Sequence, residues 1–346
     1  MNIQKFNTQL TEAAKYSLSQ LPKRSRDIIE KRFGVFRKEA KTLEAIGQEY
    51  GITRERVRQI EERALKDLRQ ISSSQPRSVA VLDTLKSHLV KFGHARKEET
   101  FMRDFHPAEK GALSLFLTLH PELTYIPEND SFYSRWCADE KQFKQSEKFV
   151  DGVIKNLEQA GQVMPEDSFA KVLKVVAAPV GLAGEIAPLM SYIDASKNIS
   201  KNNFGEYGLV SWAEIKPRGL RDKAFIVLKK SGKPLHFREV AKAIEVSKLN
   251  SRPVHPQTVH NELIRDDRFV LVGRGLYALS DWGYSAGTVR DIIKSILHSE
   301  GPLAKAMVLQ RVMEKRFVKE NTILLNLQNK SFFRRLDDGR YHLKEV

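Results

Sequence analysis

Apolar positions recur at spacings of three and four over residues 43–68: Leu43, Ile46 and Tyr50, then, past Gly51, Ile52, Val57, Ile60, Ala64, Leu65 and Leu68. This is one face of a 3.6-residue period and predicts two helices separated by a tight turn at Gly51. Thr53 stands where a side-chain cap for the second helix is needed. With the stripe turned inward, the first two turns of that helix show Arg54, Glu55, Arg58 and Gln59 to solvent, and Arg56 and Arg63 lie beside them. Long side chains with paired donors or acceptors at the start of a second helix suit base edges in a DNA major groove. A basic, solvated helix face carries the same residue types without reading anything.

A second pattern organises the C-terminal half. The stretch PLHFREVAKAIE from Pro234, followed by QTVHNELIRDDRFVLVGRGLYALSDWG, recurs in degenerate form from Pro302 as PLAKAMVLQRVM and NTILLNLQNKSFFRRLDDGRYHL. Pro234, Leu235, Val240 and Ile244 align with Pro302, Leu303, Val308 and Val312. After a four-residue difference Thr258, Leu263, Phe269, Gly275, Tyr277 and Leu279 align with Thr322, Leu327, Phe333, Gly339, Tyr341 and Leu343. Each copy begins with an apolar-periodic helix (224–228; 289–297) and closes on a hairpin turned at Gly275 or at Asp338-Gly339. Three helices and a two-stranded wing make the order of a winged helix.

The same ending occurs earlier, where Gly205, Tyr207, Leu209 and Trp212 hold the register of Gly275, Tyr277, Leu279 and Trp282. The first helix of that unit is predicted over 149–160 and its third over 182–193. A less regular copy spans 79–138, with helices over 81–92 and 110–119 and a strand pair over 123–126 and 131–136. Turn-rich or charged stretches mark the expected boundaries: SSSQPRS at 72–78, ADEKQFKQSEK at 138–148, IKPRG at 215–219 and GYSAG at 283–287.

The run LPKRSRDIIEKRFG, continued by TLEAIGQEYGITRERVRQIEERALKDLR, resembles region 4 of the primary-type (sigma-70 class) bacterial sigma factors over about residues 21–69. The resemblance implies a helix-turn-helix domain that reads the promoter minus-35 element and docks on the flap of RNA polymerase core. Carried over residue by residue, it assigns base reading to Arg54, Glu55, Arg58 and Gln59, and phosphate or polymerase contact to Arg56 and Arg63. About twenty residues precede the match, so the promoter-melting part that comes before region 4 in the family is not expected here.

Residues 219–284, with the closing GRGLYALSDWG, resemble the HARE-type helix-turn-helix domain. That family is shared by chromatin-associated proteins, restriction systems and the delta subunit of some bacterial RNA polymerases, and implies a nucleic-acid-linked or polymerase-linked winged helix without catalysis. Its third helix would begin near Pro256, a favoured first-turn residue. It would expose Gln257, His260, Asn261 and Arg265, with Arg274 at the wing tip, although any exposed helix holds such residues. The expected fold class is mainly α, a tandem of small helix-turn-helix modules. A region 4-like domain of three to four helices over 1–74 precedes winged helices with short β-hairpin wings over 78–140, 144–215, 218–284 (HARE-type) and 286–346 (degenerate copy).

A chain of 346 residues fits several such modules better than one core. Its net charge of +15 favours a polyanionic partner, and the distribution sharpens that expectation. Residues 21–70 carry 14 Lys+Arg against 9 Asp+Glu, residues 216–284 carry 14 against 7, and residues 285–346 carry 12 against 7, whereas residues 76–215 carry 16 against 19. Basic modules thus flank a slightly acidic middle. No apolar run approaches the roughly 18 residues of a membrane span, and the first twenty residues lack the pattern of a secretory signal. The single Cys137 forms no intramolecular disulfide and reads as a core residue beside Trp136. A bacterial cytoplasmic, nucleoid-associated location is expected.

No catalytic constellation can be assembled. The nine histidines are dispersed without metal-ligand spacing, and Asp266-Asp267 and Asp337-Asp338 fit polar turns better than a magnesium site. Gly273 and Gly275 serve a turn, since no phosphate-loop Lys-Ser/Thr follows. The recurring Tyr207, Tyr277 and Tyr341 mark wing packing rather than a base-stacking platform. The expected function is therefore non-enzymatic, without cofactor, metal or small-molecule substrate: a DNA-binding transcription regulator with double-stranded promoter DNA and RNA polymerase core as partners. A delta-like polymerase accessory protein and a DNA-targeting component of a restriction or defence system are the alternatives.

Overall fold

The computed structural model describes residues 3–36, 39–107, 109–250, 252–284 and 287–344. They fall into two compact units, one of Met1–Lys201 with Gly205–Val210 and one of Asn202–Phe204 with Ser211–Val346. The architecture is mainly helical, with small antiparallel sheets of two or three strands.

The first unit opens with α1 (Ile3–Ser19), α2 (Lys23–Phe33), α3 (Leu43–Tyr50) and α4 (Arg54–Ser74). Two apolar clusters hold them. Ile28, Ile46 and Val57, flanked by Leu43, Tyr50, Ile52 and Ile60, tie α2 and α3 to the first half of α4. Leu10, Ala14 and Leu18 of α1 join Ala64 and Leu68 from the second half of α4 in a larger core. The stripe read from the sequence is thus divided between two cores along one helix.

The larger core does not stop at α4. Helix α5 (Pro76–Lys91) starts after the single non-helical residue Gln75, whose side chain accepts a hydrogen bond from the Ser78 amide, with Pro76 in the first turn. The expected break at 72–78 is therefore a one-residue joint: Ser72 and Ser78 are fully buried, and the Ser17 and Ser78 hydroxyls lie 3.3 Å apart. Serines that suggest a loop here let helices approach closely instead.

Next come β1 (Ala95–Lys97), α6 (Glu98–Asp104), α7 (Lys110–Leu119), β2 (Thr124–Ile126) and β3 (Arg135–Cys137), with strand order β1-β3-β2 and both pairings antiparallel. Helix α7, KGALSLFLTL, buries Gly111, Ala112, Leu113, Leu115, Phe116, Leu117 and Leu119, more than one face. Its polar residues Lys110, Ser114 and Thr118 keep to one narrow strip, so the rest of the helix must be enclosed, and α7 is enclosed by α1, α2, α4 and α5. A Cβ on Gly111 would lie 2.5 Å from the Phe33 carbonyl oxygen, so the approach to α2 requires glycine.

The chain continues as α8 (Glu140–Ala160), β4 (Met164–Pro165), α9 (Glu166–Ala177), α10 (Ile186–Ala195), β5 (Ile199–Lys201) and β6 (Glu206–Leu209), in strand order β4-β6-β5. The charged stretch 138–148, expected as a boundary, is mostly the start of α8. Asp139 caps it by accepting from the Gln142 amide at 2.8 Å, and Ser146, Phe149 and Val153 form its buried side. The third helix also starts later than the expected residue 182, since Leu182 precedes α10. Helix α10 lies on β1: the Ser191 hydroxyl donates to the Ala95 carbonyl at 2.9 Å, and the Tyr192 hydroxyl donates to the Gly93 carbonyl at 2.7 Å. Burial pushes the Tyr192 hydroxyl up to about 12.

The second unit holds two more successions of the same kind. The first is α11 (Leu220–Ser231), β7 (Leu235–His236), α12 (Phe237–Val246), α13 (Pro256–Ile264), β8 (Phe269–Gly273) and β9 (Leu276–Leu279), in strand order β7-β9-β8. The second is α14 (Val289–Glu300), α15 (Lys305–Lys315), α16 (Glu320–Leu327), β10 (Phe333–Arg335) and β11 (Tyr341–Leu343), where a single bridge from Leu303 to Tyr341 stands in for the first strand. Gly275 (φ 70°) and Gly339 (φ 84°) take the left-handed conformation their hairpin turns need. Within the expected boundary at 283–287, Ser285 and Ala286 lie outside the described residues. Tyr207, Tyr277 and Tyr341 each sit on the middle strand, and Tyr207 stacks on Phe169 at 4.4 Å.

Because α7 completes the core of α1 and α4, Phe116→Ala should cost about 3–5 kcal/mol. Native-state hydrogen exchange should show amides of α1 and the second half of α4 losing protection together with those of α7. Loss confined to α7 would mean that the cores are separate.

Candidate nucleic-acid interface

Helices α3 and α4 are set by three local devices. Thr42 caps α3, its hydroxyl accepting from the Ala45 amide at 3.2 Å, and Thr53 caps α4 by accepting from the Arg56 amide at 3.2 Å. Gly51 ends α3 with φ 63°. The Ile52 amide donates back to the Gly47 carbonyl at 3.0 Å, and a Cβ on Gly47 would come within 2.7 Å of the Ile52 carbonyl oxygen. The first turn of α4 therefore stands at a fixed distance from α3. Its free amide ends add partial positive charge to that of Arg54 and Arg56, which suits phosphate.

Arg54, Glu55, Arg56, Gln59 and Arg63 are all exposed, and Arg58 is half-buried. The structure brings four of them into one network with Glu62. Arg58 grips Glu55 with two hydrogen bonds, Nη2 to Oε1 at 2.7 Å and Nε to Oε2 at 2.9 Å, and also donates to Glu62. Gln59 donates to Glu55 at 3.4 Å, and Arg56 donates to the Gln59 side-chain Oε1 at 3.1 Å. The Arg58 guanidinium holds the Glu55 carboxyl below the usual carboxylate range. Exposed pairs of this kind contribute little to stability. They keep the side chains extended along the helix, and a guanine edge can take the place of a carboxylate on Arg58.

A basic depression that periodicity did not reveal lies between α2 and α3. Lys23, Arg24, Arg26, Asp27, Glu30 and Tyr50 line it. The Tyr50 hydroxyl donates to Asp27, while Arg24 and Lys31 stand over the Tyr50 ring at 5.6 and 4.7 Å. The LPKRSR run was the available signal, but it gave no face, because Tyr50 completes the site from another helix.

In the second unit, α13 begins at Pro256 and is capped by His255, whose Nδ1 accepts from the Gln257 amide at 3.3 Å. Gln257, Asn261 and Arg265 are exposed, with Arg265 just past the helix end, and Arg274 is exposed at the turn between β8 and β9. His260 differs from them. It is half-buried against Phe237 (4.6 Å) and Tyr277 (5.8 Å), and its Nδ1 lies 3.3 Å from Gln257 Nε2, so packing occupies much of the ring.

One acid of each pair is engaged locally. Asp266 binds Arg268 at 2.7 Å and Asp338 binds Arg340 at 2.7 Å. Among the described residues no three His, Cys, Asp or Glu side chains cluster as metal ligands, and no helix is long and apolar enough to cross a membrane. Cys137 is buried and its thiol faces the Asp139 carbonyl at 3.3 Å.

Residues 17–70 match the family described as Sigma-70, region 4, and residues 219–282 match HARE-HTH, the ASXL and restriction endonuclease HTH domain. The RNA polymerase sigma factor RpoS of Coxiella burnetii (strain RSA 493 / Nine Mile phase I) is 46% identical over 65 residues, covering 19% of this chain and 18% of that protein. The chain thus spans less than a fifth of the length of this curated relative. It joins a sigma-70 region 4 segment to a HARE-type helix-turn-helix domain, and both point to DNA binding.

Gly47→Ala should destabilise the first unit by about 1–3 kcal/mol through overpacking against the Ile52 carbonyl, read as a lower denaturation midpoint. An unchanged midpoint would contradict the close approach of α3 to α4.

Proposed function

We propose that this protein is a promoter-directed, DNA-binding transcription regulator in which α4 enters the major groove. Arg54, Glu55, Arg58 and Gln59 read base edges, and Arg56 and Arg63 contact phosphate or polymerase. The observation that carries this is the pairing of a region 4 match with an α4 whose first two turns keep a polar, solvent-facing side. In the second unit Gln257, Asn261, Arg265 and Arg274 add contacts to duplex DNA, with His260 contributing only its free edge. RNA polymerase core, through its flap, is the proposed protein partner.

A polymerase-associated role with little base reading has one observation in its favour, since Arg58 is already held by Glu55 and Glu62. Binding measurements separate the two. Replacing Arg58 with Ala should cost about 1–3 kcal/mol on a preferred promoter sequence and much less on random duplex if it reads a base. Equal weakening on both would reduce it to a phosphate contact.

The salt dependence of affinity tests the second unit. Removing one phosphate-binding side chain should lower the slope of log K against log salt by about 0.9. The double variant Arg265→Ala with Arg274→Ala should therefore flatten the slope by up to about 2. An unchanged slope would mean that this face does not meet DNA.

A further inference from the structure

The four winged successions share one fold and use their third helices in different ways. In the first unit, α7 is apolar and spent on α1, α2, α4 and α5, and α10 lies on β1. In the second unit, the outward side of α13 carries Gln257, His260 and Asn261, with Ile264 exposed at its last turn. Helix α16 carries an exposed leucine, Leu325, and a partly buried one, Leu324, among polar exposed residues.

The repeat register makes the contrast residue by residue. Val259 and Leu263, the buried anchors of α13, correspond to Ile323 and Leu327, the buried anchors of α16. On the outward side Gln257, His260, Asn261 and Arg265 correspond to Asn321, Leu324, Leu325 and Asn329. Leu325 is 68% exposed, and in the turn before α16 Phe317 is 62% exposed, with Met313 46% exposed near the end of α15. With leucines at two of these four positions, α16 offers base edges fewer donors and acceptors than α13 does. Three large apolar side chains left open within residues 313–325 form a candidate surface for another molecule.

We propose that the outward side of α16, with Phe317, is a docking surface for an acidic amphipathic helix of another protein. The apolar residues supply anchors of the helix-in-groove kind. Charge selects the occupant: Lys315, Lys319 and Lys330 outnumber Glu314 and Glu320 along this stretch of sequence, and residues 285–346 carry 12 Lys+Arg against 7 Asp+Glu. A second copy would bring the same positive charge against itself, whereas Asp and Glu flanking a leucine stripe would complement it. This surface is independent of the promoter function proposed for α4.

The test is selection of a displayed library of peptides about 16 residues long, enough for some four helical turns, on the full chain, on Leu325→Asn and on Phe317→Ser. Both positions are exposed and both changes are charge-neutral, so the thermal midpoint should stay unchanged. The expected result is enrichment of peptides with apolar residues every third or fourth position and an excess of Asp and Glu. A synthetic copy of the leading peptide should bind the full chain and bind each variant at least about tenfold more weakly. Four outcomes would overturn the proposal: no enrichment, enrichment of basic peptides, binding that both variants leave intact, or a Leu325-dependent dimer in sedimentation. A drop in duplex affinity in Leu325→Asn would instead assign the surface to DNA and overturn it equally.

Discussion

The burial of α7 between α1, α2, α4 and α5 is the interaction on which the first unit depends. A ten-residue helix with seven buried residues, whose polar Lys110, Ser114 and Thr118 keep to one strip, cannot remain at a surface. By closing the core shared by Leu18, Leu68 and Leu85, it makes the region 4 segment and the following module one body. The orientation of α4 follows from this, because its second half is held by that core while its first half is held by Ile28, Ile46 and Val57. Gripped at both ends, α4 gives up little further freedom on binding, which favours affinity through preorganisation.

One supersecondary unit serves several purposes here. The third helix of a winged module is a short amphipathic rod whose inner side is fixed by packing, so its outer side is free to vary. Where that side is apolar, as in α7, it welds neighbouring modules. Where it carries Gln257, Asn261 and Arg265, it keeps hydrogen-bonding groups in water. Fold and role are thus separable within a single chain.

Much of this was legible in the sequence, and the parts that were not have physical reasons. The Leu43 to Leu68 stripe, the Thr53 cap and the hairpin glycines are local signals with one outcome, and the winged order followed from the repeat. The start of α8 was hidden because EKQFKQSEK is mostly charged, and only a cap at Asp139 and a sparse apolar side make it helical. The joint at Gln75 was read as a linker because serines favour turns in isolation. First strands of two or three residues, such as Met164–Pro165 and Leu235–His236, are too short to show a period of two. At the candidate interface the residue types were readable, and the clasp of Glu55 and Glu62 on Arg58 follows from i,i+3 and i,i+4 spacing along one helix, but the packing of His260 against Phe237 depends on a neighbour from another helix.

The central claim is that α4 reads sequence. Selection from random DNA duplexes on the full chain, followed by sequencing, tests it most directly. The account predicts enrichment of a short motif that disappears in Arg58→Ala and persists in Leu325→Asn. Recovery of unenriched duplexes, or of one motif unchanged by Arg58→Ala, would contradict it.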